Sequence, residues 1–184
     1  LYFPADPLQL KAILESIFCN PGLRFVYSTR SATPFILNEQ GGQFFGEGYR
    51  FKADQDEIIR EGKDGYIISY GEMLYRCLHV VEELKKEGIS LGLVNKPVLN
   101  VADEDMLTRL GKSPMVLVVE SQNTKTGLGS RFGTWLLERG YTPKYGYMGS
   151  WKEGAGGISE QIPHQGLGPD GIRARVQKML KGAK

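Results

Sequence analysis

The sequence predicts an α/β fold in which a mostly parallel sheet lies between two layers of helices. Short apolar segments alternate along the chain with longer segments of helical periodicity, and the links between them are short. Such alternation favours parallel strands joined by right-handed helical crossovers. The segment MVLVVE (residues 115–120) is almost continuously apolar, as expected of a strand covered on both faces. These observations predict a three-layer α/β/α domain, preceded by a partial α/β unit.

Residues 1–30 are predicted to form this partial unit, in the order strand, helix, strand. Residues 1–3 have the pattern of the second half of a strand. In the next segment, PADPLQLKAILESIF, apolar residues recur at helical spacing, with Asp6 expected as the N-cap and Pro7 as the first helical residue. Residues 25–27 are predicted as a short buried strand. Since the sequence starts inside a strand and without methionine, we expect this chain to be the C-terminal part of a longer protein, or a trimmed fragment.

Residues 31–62 are predicted to form an interdomain connection. Two short apolar segments flank Gly41 and Gly42, a turn signal that predicts a hairpin. The segment KADQDEIIREGKDG that follows is charged and has no strong periodicity, so no strand is assigned to it.

Residues 63–184 are predicted to form one complete α/β domain. Three strands are expected at YIISY, ISLGLVN and MVLVVE, each followed by a helix, and GPDGIRARVQKMLKG is expected as the closing helix. The glycine- and aromatic-rich segment 144–166 is open to two interpretations. Its YGYMG sequence is one more strand, or the segment is a loop that is mobile or covers a partner surface.

The composition is that of an ordinary soluble globular chain and argues against several classes of function. Of the 184 residues 41% are hydrophobic and 24% charged. The net charge of +2, with acidic and basic residues interspersed, argues against nucleic-acid binding. No apolar segment is long enough to span a membrane. Cys19 and Cys77 are too few and too far apart for a disulfide framework or a zinc site, so both are expected as core thiols in a reducing, cytoplasmic compartment.

The segment TKTGLGSRFGTW resembles a phosphate-binding loop, because glycines before a helix expose backbone N–H groups. Phe132 stands where the third glycine of a G-x-G-x-x-G motif belongs, and Gly133 comes one residue late. The simpler interpretation is that Gly127 and Gly129 permit a strand-to-helix turn and close packing. A weak anion or partner contact is the alternative.

The titratable residues form no recognisable catalytic or metal-binding set. His79 is expected as a satisfied or solvent-edge residue of a helix, and His164 as a loop residue that could face a cleft. Glu72 and Glu120 lie at the C-terminal ends of predicted strands, a position where catalytic acids often lie. Each is more commonly a partner of a helix dipole or an acid of a loop.

The order of segments resembles the C-terminal domain of the transketolase family of thiamine-diphosphate enzymes. The likeness covers about residues 64–181 and begins with a strand ending in glycine, an amphipathic helix and EGI leading into a strand. It continues with the pattern N–x–P–x–x–N–x–x–D–E–D–M–L and then with PMVLVVESQNTKTGLGSRFGTWLLERG. The segment GLGPDGIRARVQKML is similar to the closing helix of that domain.

The N-terminal stretch resembles the end of the pyrimidine-binding domain of the same family. There a PAD turn starts a helix, and a strand leads into Ser–Arg–x–x–x–Pro; here Arg30 and Pro34 match, while Thr29 stands where the family usually has serine. The resemblance implies that residues 1–30 are the remnant of that domain and that Arg30 contacts the phosphate of a sugar-phosphate substrate. A guanidinium suits this role because it makes bidentate, charge-assisted bonds. A plain surface arginine is the alternative.

The resemblance implies a homodimeric enzyme that transfers a two-carbon ketol unit between sugar phosphates with thiamine diphosphate and magnesium. This chain would contribute mainly scaffold, dimer and interdomain packing. The family's Gly-Asp-Gly motif and activating glutamate cannot be placed here, so we expect no cofactor on the isolated chain, and no activity without the missing N-terminal domains or a companion subunit. Three alternatives share the architecture or follow from the missing motifs: a 2-oxoacid dehydrogenase beta subunit, a deoxyxylulose-phosphate synthase, and a non-catalytic regulatory or interaction module.

Overall fold

The computed structural model describes residues 1–154 and 158–181, and it confirms an α/β fold built on a five-stranded, mostly parallel sheet. The strands are β1 (Glu57–Arg60), β2 (Gly65–Ser69), β3 (Leu91–Asn95), β4 (Met115–Asn123) and β5 (Lys144–Ser150). The helices are α1 (Pro7–Ile17), α2 (Met73–Lys86), α3 (Glu104–Gly111), α4 (Leu128–Glu138), α5 (Ile158–His164) and α6 (Pro169–Lys181). None of the helices in these two ranges is long and apolar enough to cross a membrane.

The strand order is β1-β3-β2-β4-β5, and every pair except the first is parallel. From β2 the chain crosses to β3 on one side, and from β3 it crosses back to β4 on the other side of β2. The direction of winding therefore changes between β2 and β4. In sheets of this kind, ligands collect outside the carboxyl ends of the strands at such a point.

Two hydrophobic cores lie on opposite faces of the sheet. Along β2, Ile67 points into the core that contains α2 and α6, whereas Tyr66 and Ile68 point into the core that contains α3 and α4. Along β4, Leu117 points into the core that contains α2 and α6, and Val118 points into the core that contains α3 and α4. Because both strands are buried on both faces, their sequences are nearly continuous apolar runs, as predicted.

Two elements were not predicted from the sequence. The short strand β1 pairs antiparallel with the edge of β3, inside the charged stretch to which no strand was assigned. Its Arg60 is buried because Glu82 binds its Nε at 2.6 Å and the carbonyl groups of Ile59 and Leu37 accept from its terminal nitrogens. The helix α5 contains Pro163, a residue that sequence patterns associate with breaks.

The segment 144–166 contains more regular structure than a loop. Its first residues form β5, which confirms the strand interpretation of YGYMG, and residues 158–164 form α5. Residues 155–157, between them, lie outside the described residues.

The N-terminal segment confirms its predicted helix. Asp6 caps α1 by accepting from the backbone N–H of Gln9 at 2.9 Å, and its second oxygen accepts from that of Ile36 at 2.9 Å. The predicted strands at residues 1–3 and 25–27 are reduced to isolated bridges, in which Tyr2 pairs with Val26 and with Val98. The hairpin at Gly41 and Gly42 is present as a single bridge between Leu37 and Gln43.

The predictions of burial at residues 25–27 and at Cys19 are wrong. Phe25 is half exposed and Tyr27 is 43% exposed, because within the described residues no layer covers the outer side of this segment. Cys19 follows the end of α1 and is exposed. Cys77 is the buried thiol that was expected, and burial raises its pKa to about 12.

Candidate functional site

Arg30 lies in a cleft of about 380 Å³ beside the first turn of α2, at the carboxyl edge of the sheet. Its side chain is exposed, and within the described residues it makes no hydrogen bond or ion pair. The cleft is lined by Thr29, Arg30, Ser31, Ala32, Thr33, Glu72, Tyr75, Arg76, Gln161 and Ile162. This cleft, called the arginine cleft below, combines two guanidinium groups with four hydroxyl groups.

A local turn fixes the backbone on either side of Arg30. The hydroxyl oxygen of Thr29 accepts from the backbone N–H of Ser31 at 3.1 Å, which is the geometry of a hydroxyl-closed turn. The turn places the side chain of Arg30 in the same cleft as the hydroxyl groups of Thr29 and Ser31.

Arg76 is the second cation of the arginine cleft, and no pattern in the sequence singles it out. It is half-buried, it donates to the hydroxyl of Tyr75, and its guanidinium lies 4.4 Å from the centre of that ring. Burial lowers the pKa of Arg76, and the nearby charge of Glu72 acts in the opposite direction. No carboxylate in the described part of the chain forms an ion pair with either Arg30 or Arg76.

Glu72 stands at the N-cap of α2, but its side chain makes no capping hydrogen bond. Its Oε2 atom is buried and has no hydrogen-bond partner among the described residues. Glu72 lines the arginine cleft and also a neighbouring cavity of about 370 Å³, to which Ser121 and Ser150 contribute. Buried carboxylate oxygens are nearly always hydrogen-bonded in folded proteins, so an open acceptor here is unusual.

Glu120 is fully buried and acts as the partner of a helix N-terminus. It accepts from the backbone N–H groups of Leu128 and Gly129 at 2.8 and 2.7 Å and from the hydroxyl of Tyr70 at 2.7 Å. A Cβ atom at Gly127 would clash with this carboxylate, which explains the glycine. The glycine-rich segment is therefore a turn filled by a protein carboxylate, and the N–H groups that a phosphate would use are already bonded.

The histidines do not form a site. His79 is exposed on α2, which confirms the expected solvent-edge position. His164 lies in the last turn of α5 rather than in a loop, with Nε2 at 3.0 Å from the carbonyl oxygen of Glu153. Over residues 1–154 and 158–181, no three histidine, cysteine or acidic side chains are grouped so that they could hold a metal.

A buried polar network, also missed by sequence reasoning, joins α1 to the sheet. The carboxylate of Glu57 accepts from Gln9 Nε2 and from Asn95 Nδ2, each at 2.8 Å, and from the hydroxyl of Tyr49. Burial raises the pKa of Glu57 to about 7, while these three hydrogen bonds act in the opposite direction. The network is structural, since it connects residues of four separate segments in the interior.

A second buried pair lies beside this network. Lys96 Nζ binds the two carboxylate oxygens of Asp56 at 2.9 and 3.1 Å and the carbonyl oxygen of Val101 at 2.7 Å. Asp103 caps α3 through the N–H of Met106 and also accepts from the backbone N–H of Asp56 at 2.7 Å. These contacts fix the loop between β3 and α3, which carries the N–x–P–x–x–N–x–x–D pattern.

Comparisons with known proteins agree with this architecture. Two relatives of the chain are a transketolase family protein of Sinorhizobium fredii, 29% identical over 144 residues, and 1-deoxy-D-xylulose-5-phosphate synthase 1 of Geobacter metallireducens, 30% identical over 151 residues. These matches span 76% and 74% of this chain but only 39% and 24% of the two relatives.

Two solved structures share the fold. A split-gene transketolase, described as an inactive β4 tetramer, superposes with a TM-score of 0.84 at 24% identity, covering 100% of this chain and 57% of that one. A transketolase mutant from Pichia stipitis superposes with a TM-score of 0.70 at 19% identity, covering 98% of this chain and 25% of that one.

The family assignment comes from the sequence match that covers the sheet. The family model described as "Transketolase, C-terminal domain" matches residues 54–172, which is more than half of the chain. The match starts just before β1 and ends within α6, so it includes all five strands. The chain therefore belongs to the transketolase C-terminal domain family.

Proposed function

We propose that this chain is the C-terminal portion of an enzyme that transfers a two-carbon ketol unit between sugar phosphates. The observation that carries the proposal is Arg30, an exposed guanidinium without an ion-pair partner in the described residues, in a cleft at the carboxyl edge of the sheet. A guanidinium in this position can bind a phosphoryl group through two charge-assisted hydrogen bonds. Family membership and the Arg30–Pro34 match to the Ser–Arg–x–x–x–Pro pattern support the same role.

The described residues do not fit the metal and diphosphate of thiamine diphosphate. They contain no cluster of metal-ligating side chains, and the sequence lacks the Gly-Asp-Gly motif. In our proposal, residues outside this chain hold the cofactor, which supplies the covalent chemistry. This chain contributes Arg30, which binds the phosphoryl group, and a rigid support for the other domains.

The proposed support role includes contact with the missing N-terminal domains or with a companion subunit. The two curated relatives are about two and a half and four times as long as the matched region, and one structural neighbour carries a name that describes a split-gene transketolase. We propose that N-terminal domains, or a separately encoded companion subunit, complete this chain, and that the complete enzyme contains two copies of it as a homodimer. The unpaired thiols of Cys19 and Cys77 favour a cytoplasmic location.

The test uses the full-length protein together with any separately encoded N-terminal part. Replacing Arg30 by alanine is expected to raise KM for phosphorylated sugars at least tenfold and to leave turnover of an unphosphorylated donor within about twofold, because only the phosphoryl contact is lost. Arg24→Ala is the matched control, since Arg24 lies on the same segment but outside the arginine cleft. Equal KM values for the Arg30→Ala and Arg24→Ala variants would contradict the proposal.

A second candidate, formation of 1-deoxy-D-xylulose 5-phosphate, is favoured by relatives that carry that synthase name at 30% and 33% identity. Its product also bears a phosphoryl group, so the Arg30→Ala variant alone does not separate the two reactions. Measuring both products with the same enzyme preparation separates the two reactions. Accumulation of the deoxy sugar phosphate without ketol transfer between sugar phosphates would replace the first proposal by the second.

A further inference from the structure

The turn that carries Arg30 has few contacts of its own. Within the described part of the chain, residues 28–35 make no hydrogen bond to the rest of the protein, and the one bond inside this stretch joins the N–H of Ser31 to the hydroxyl of Thr29. A cleft of about 160 Å³ lies between this stretch and the first turn of α1. The position of the turn therefore depends on the two points where residues 28–35 join the body of the protein.

Asp6 is the anchor at the C-terminal one of these points. The N–H of Ile36 donates to Asp6 Oδ2 at 2.9 Å, while Asp6 Oδ1 accepts from the N–H of Gln9 and caps α1. At the other point the N–H of Tyr27 donates to the carbonyl oxygen of Tyr2. Asp6 and Ile36 are both buried, and a buried N–H without an acceptor is costly. The bond to Asp6 therefore fixes the direction in which the backbone runs from the turn into the core.

A second aspartate of the chain has the same pair of contacts. Asp103 caps α3 by accepting from the N–H of Met106 at 2.9 Å, and its other oxygen accepts from the N–H of Asp56 at 2.7 Å. Each aspartate thus joins a helix N-terminus to a segment that is distant along the chain. The two segments differ in what they carry, because Asp56 precedes β1 whereas Ile36 follows the turn with Arg30.

We propose that Asp6 is a positioning residue for substrate recognition, which holds the turn of residues 28–35 so that Arg30 lies in the arginine cleft. The hydrogen bond from Ile36 carries this role, and the capping of α1 is a separate role of the same carboxylate. The inference rests on the proposed function, since Arg30 binds a phosphorylated substrate there. It adds a residue that does not touch the substrate but determines how tightly phosphorylated substrates bind.

Two substitutions separate the two roles of Asp6. Asp6→Asn keeps one oxygen for the cap, and asparagine caps a helix about as well as aspartate does, but its NH₂ group then faces the N–H of Ile36 and that bond is lost. Asp6→Ala removes both contacts. Asp103→Asn is the matched control, since it makes the same chemical change in the same geometry and Asp103 does not line the arginine cleft.

The kinetic test uses the full-length protein, together with any separately encoded N-terminal part, and compares ribose 5-phosphate with ribose as acceptors. Asp6→Asn should raise KM for ribose 5-phosphate at least threefold and leave kcat and the KM for ribose within about twofold, because only the phosphoryl contact is displaced. Asp6→Ala should change the two KM values in the same way but also lower the thermal unfolding midpoint, since the cap is lost. Asp103→Asn should leave both KM values within about twofold.

Hydrogen–deuterium exchange of the same variants tests the positioning role without any substrate. Asp6→Asn should speed amide exchange in peptides that cover residues 28–36, because the anchor of this stretch is lost. Asp103→Asn should speed exchange in peptides that cover residues 54–58 and leave residues 28–36 as they are in the wild type.

Two outcomes overturn the inference. One is an Asp6→Asn variant that exchanges at residues 28–36 as the wild type does, and the other is an equal rise of KM for ribose 5-phosphate in Asp6→Asn and Asp103→Asn. The Arg30→Ala variant, measured in parallel, keeps the two proposals apart. If Arg30→Ala raises this KM and Asp6→Asn does not, the positioning role fails and the proposed function stands. If Arg30→Ala has no effect while Asp6→Asn still speeds exchange at residues 28–36, the proposed function fails and Asp6 remains the anchor of the turn.

Discussion

Similar apolar sequences are buried in the sheet domain but partly exposed in the N-terminal segment. In the sheet, Ile67, Leu117 and Val118 are completely buried between helices on two faces. In the N-terminal segment, large apolar side chains remain exposed: Leu14, Phe18, Leu23, Phe25 and Tyr27. An apolar pattern predicts that an element forms, but burial also needs a second layer. Within the described residues the N-terminal segment has that layer on one side only.

The largest effect is expected inside the sheet domain. Leu117→Ala should lower the free energy of unfolding of this chain by about 3 kcal/mol, because it removes a fully buried side chain and leaves a cavity. Urea unfolding followed by circular dichroism measures this difference. A loss below about 1 kcal/mol would mean that the interior of the sheet relaxes as freely as the exposed segment, and the contrast between the two regions would disappear.

An effect of at most similar size, which depends on pH, is expected where the two regions meet. Glu57 binds Gln9 of α1 and Asn95 of β3, and burial raises its pKa from 4.5 to about 7. Between these pH values the folded state keeps a proton that the unfolded chain has released. The contribution of Glu57 to the free energy of unfolding is therefore largest below about pH 4.5, and it is lost as the pH rises through about 7. Across this window the wild type should lose up to about 3 kcal/mol relative to Glu57→Gln.

The difference between the two unfolding curves reports Glu57 together with its interaction with Asp56. Burial raises the pKa of Asp56 to about 6, and the charge of Asp56 in turn raises the pKa of Glu57. Glu83→Gln is a control of opposite sign, since the hydrogen bond from Lys86 lowers the pKa of Glu83 and its removal should reduce stability at high pH. Parallel curves for the wild type and Glu57→Gln would show that the Glu57 carboxyl stays ionised in the folded protein.

The parts of the fold that could be predicted are those with long local patterns. The segment around α2 repeats apolar residues at helical spacing and ends at Gly88, and β4 is an apolar run, so each is defined by its own sequence. The strand β1 could not be found in this way. Its Arg60 looks solvated in the sequence but is buried by partners that are distant along the chain, such as Glu82.

The candidate site also has one part that could be predicted from the sequence and another part that could not. Arg30 could be singled out, because it lies within a family pattern of consecutive residues. The convergence of Glu72 and Arg76 on Arg30 depends on how α2 packs beside the turn, and no local pattern in the sequence carries that information. Glu120 could be placed at the end of a strand as a helix-dipole partner, but its bond to Tyr70 requires the parallel pairing of β2 and β4.

The smallest effect is expected at the exposed end of the N-terminal segment, and it tests whether another domain covers this segment. Leu23 is 86% exposed, so Leu23→Ala should change the free energy of unfolding of this chain by less than about 0.5 kcal/mol. The same substitution in the full-length protein should cost more than about 1 kcal/mol if the proposed N-terminal domains cover Leu23, because burial there adds the transfer free energy of a leucine. Lys11→Ala, an exposed change on α1, controls for any general effect of mutating this segment. An equal and negligible cost for Leu23→Ala in both forms would place the covering layer elsewhere and remove this apolar face as a contact surface.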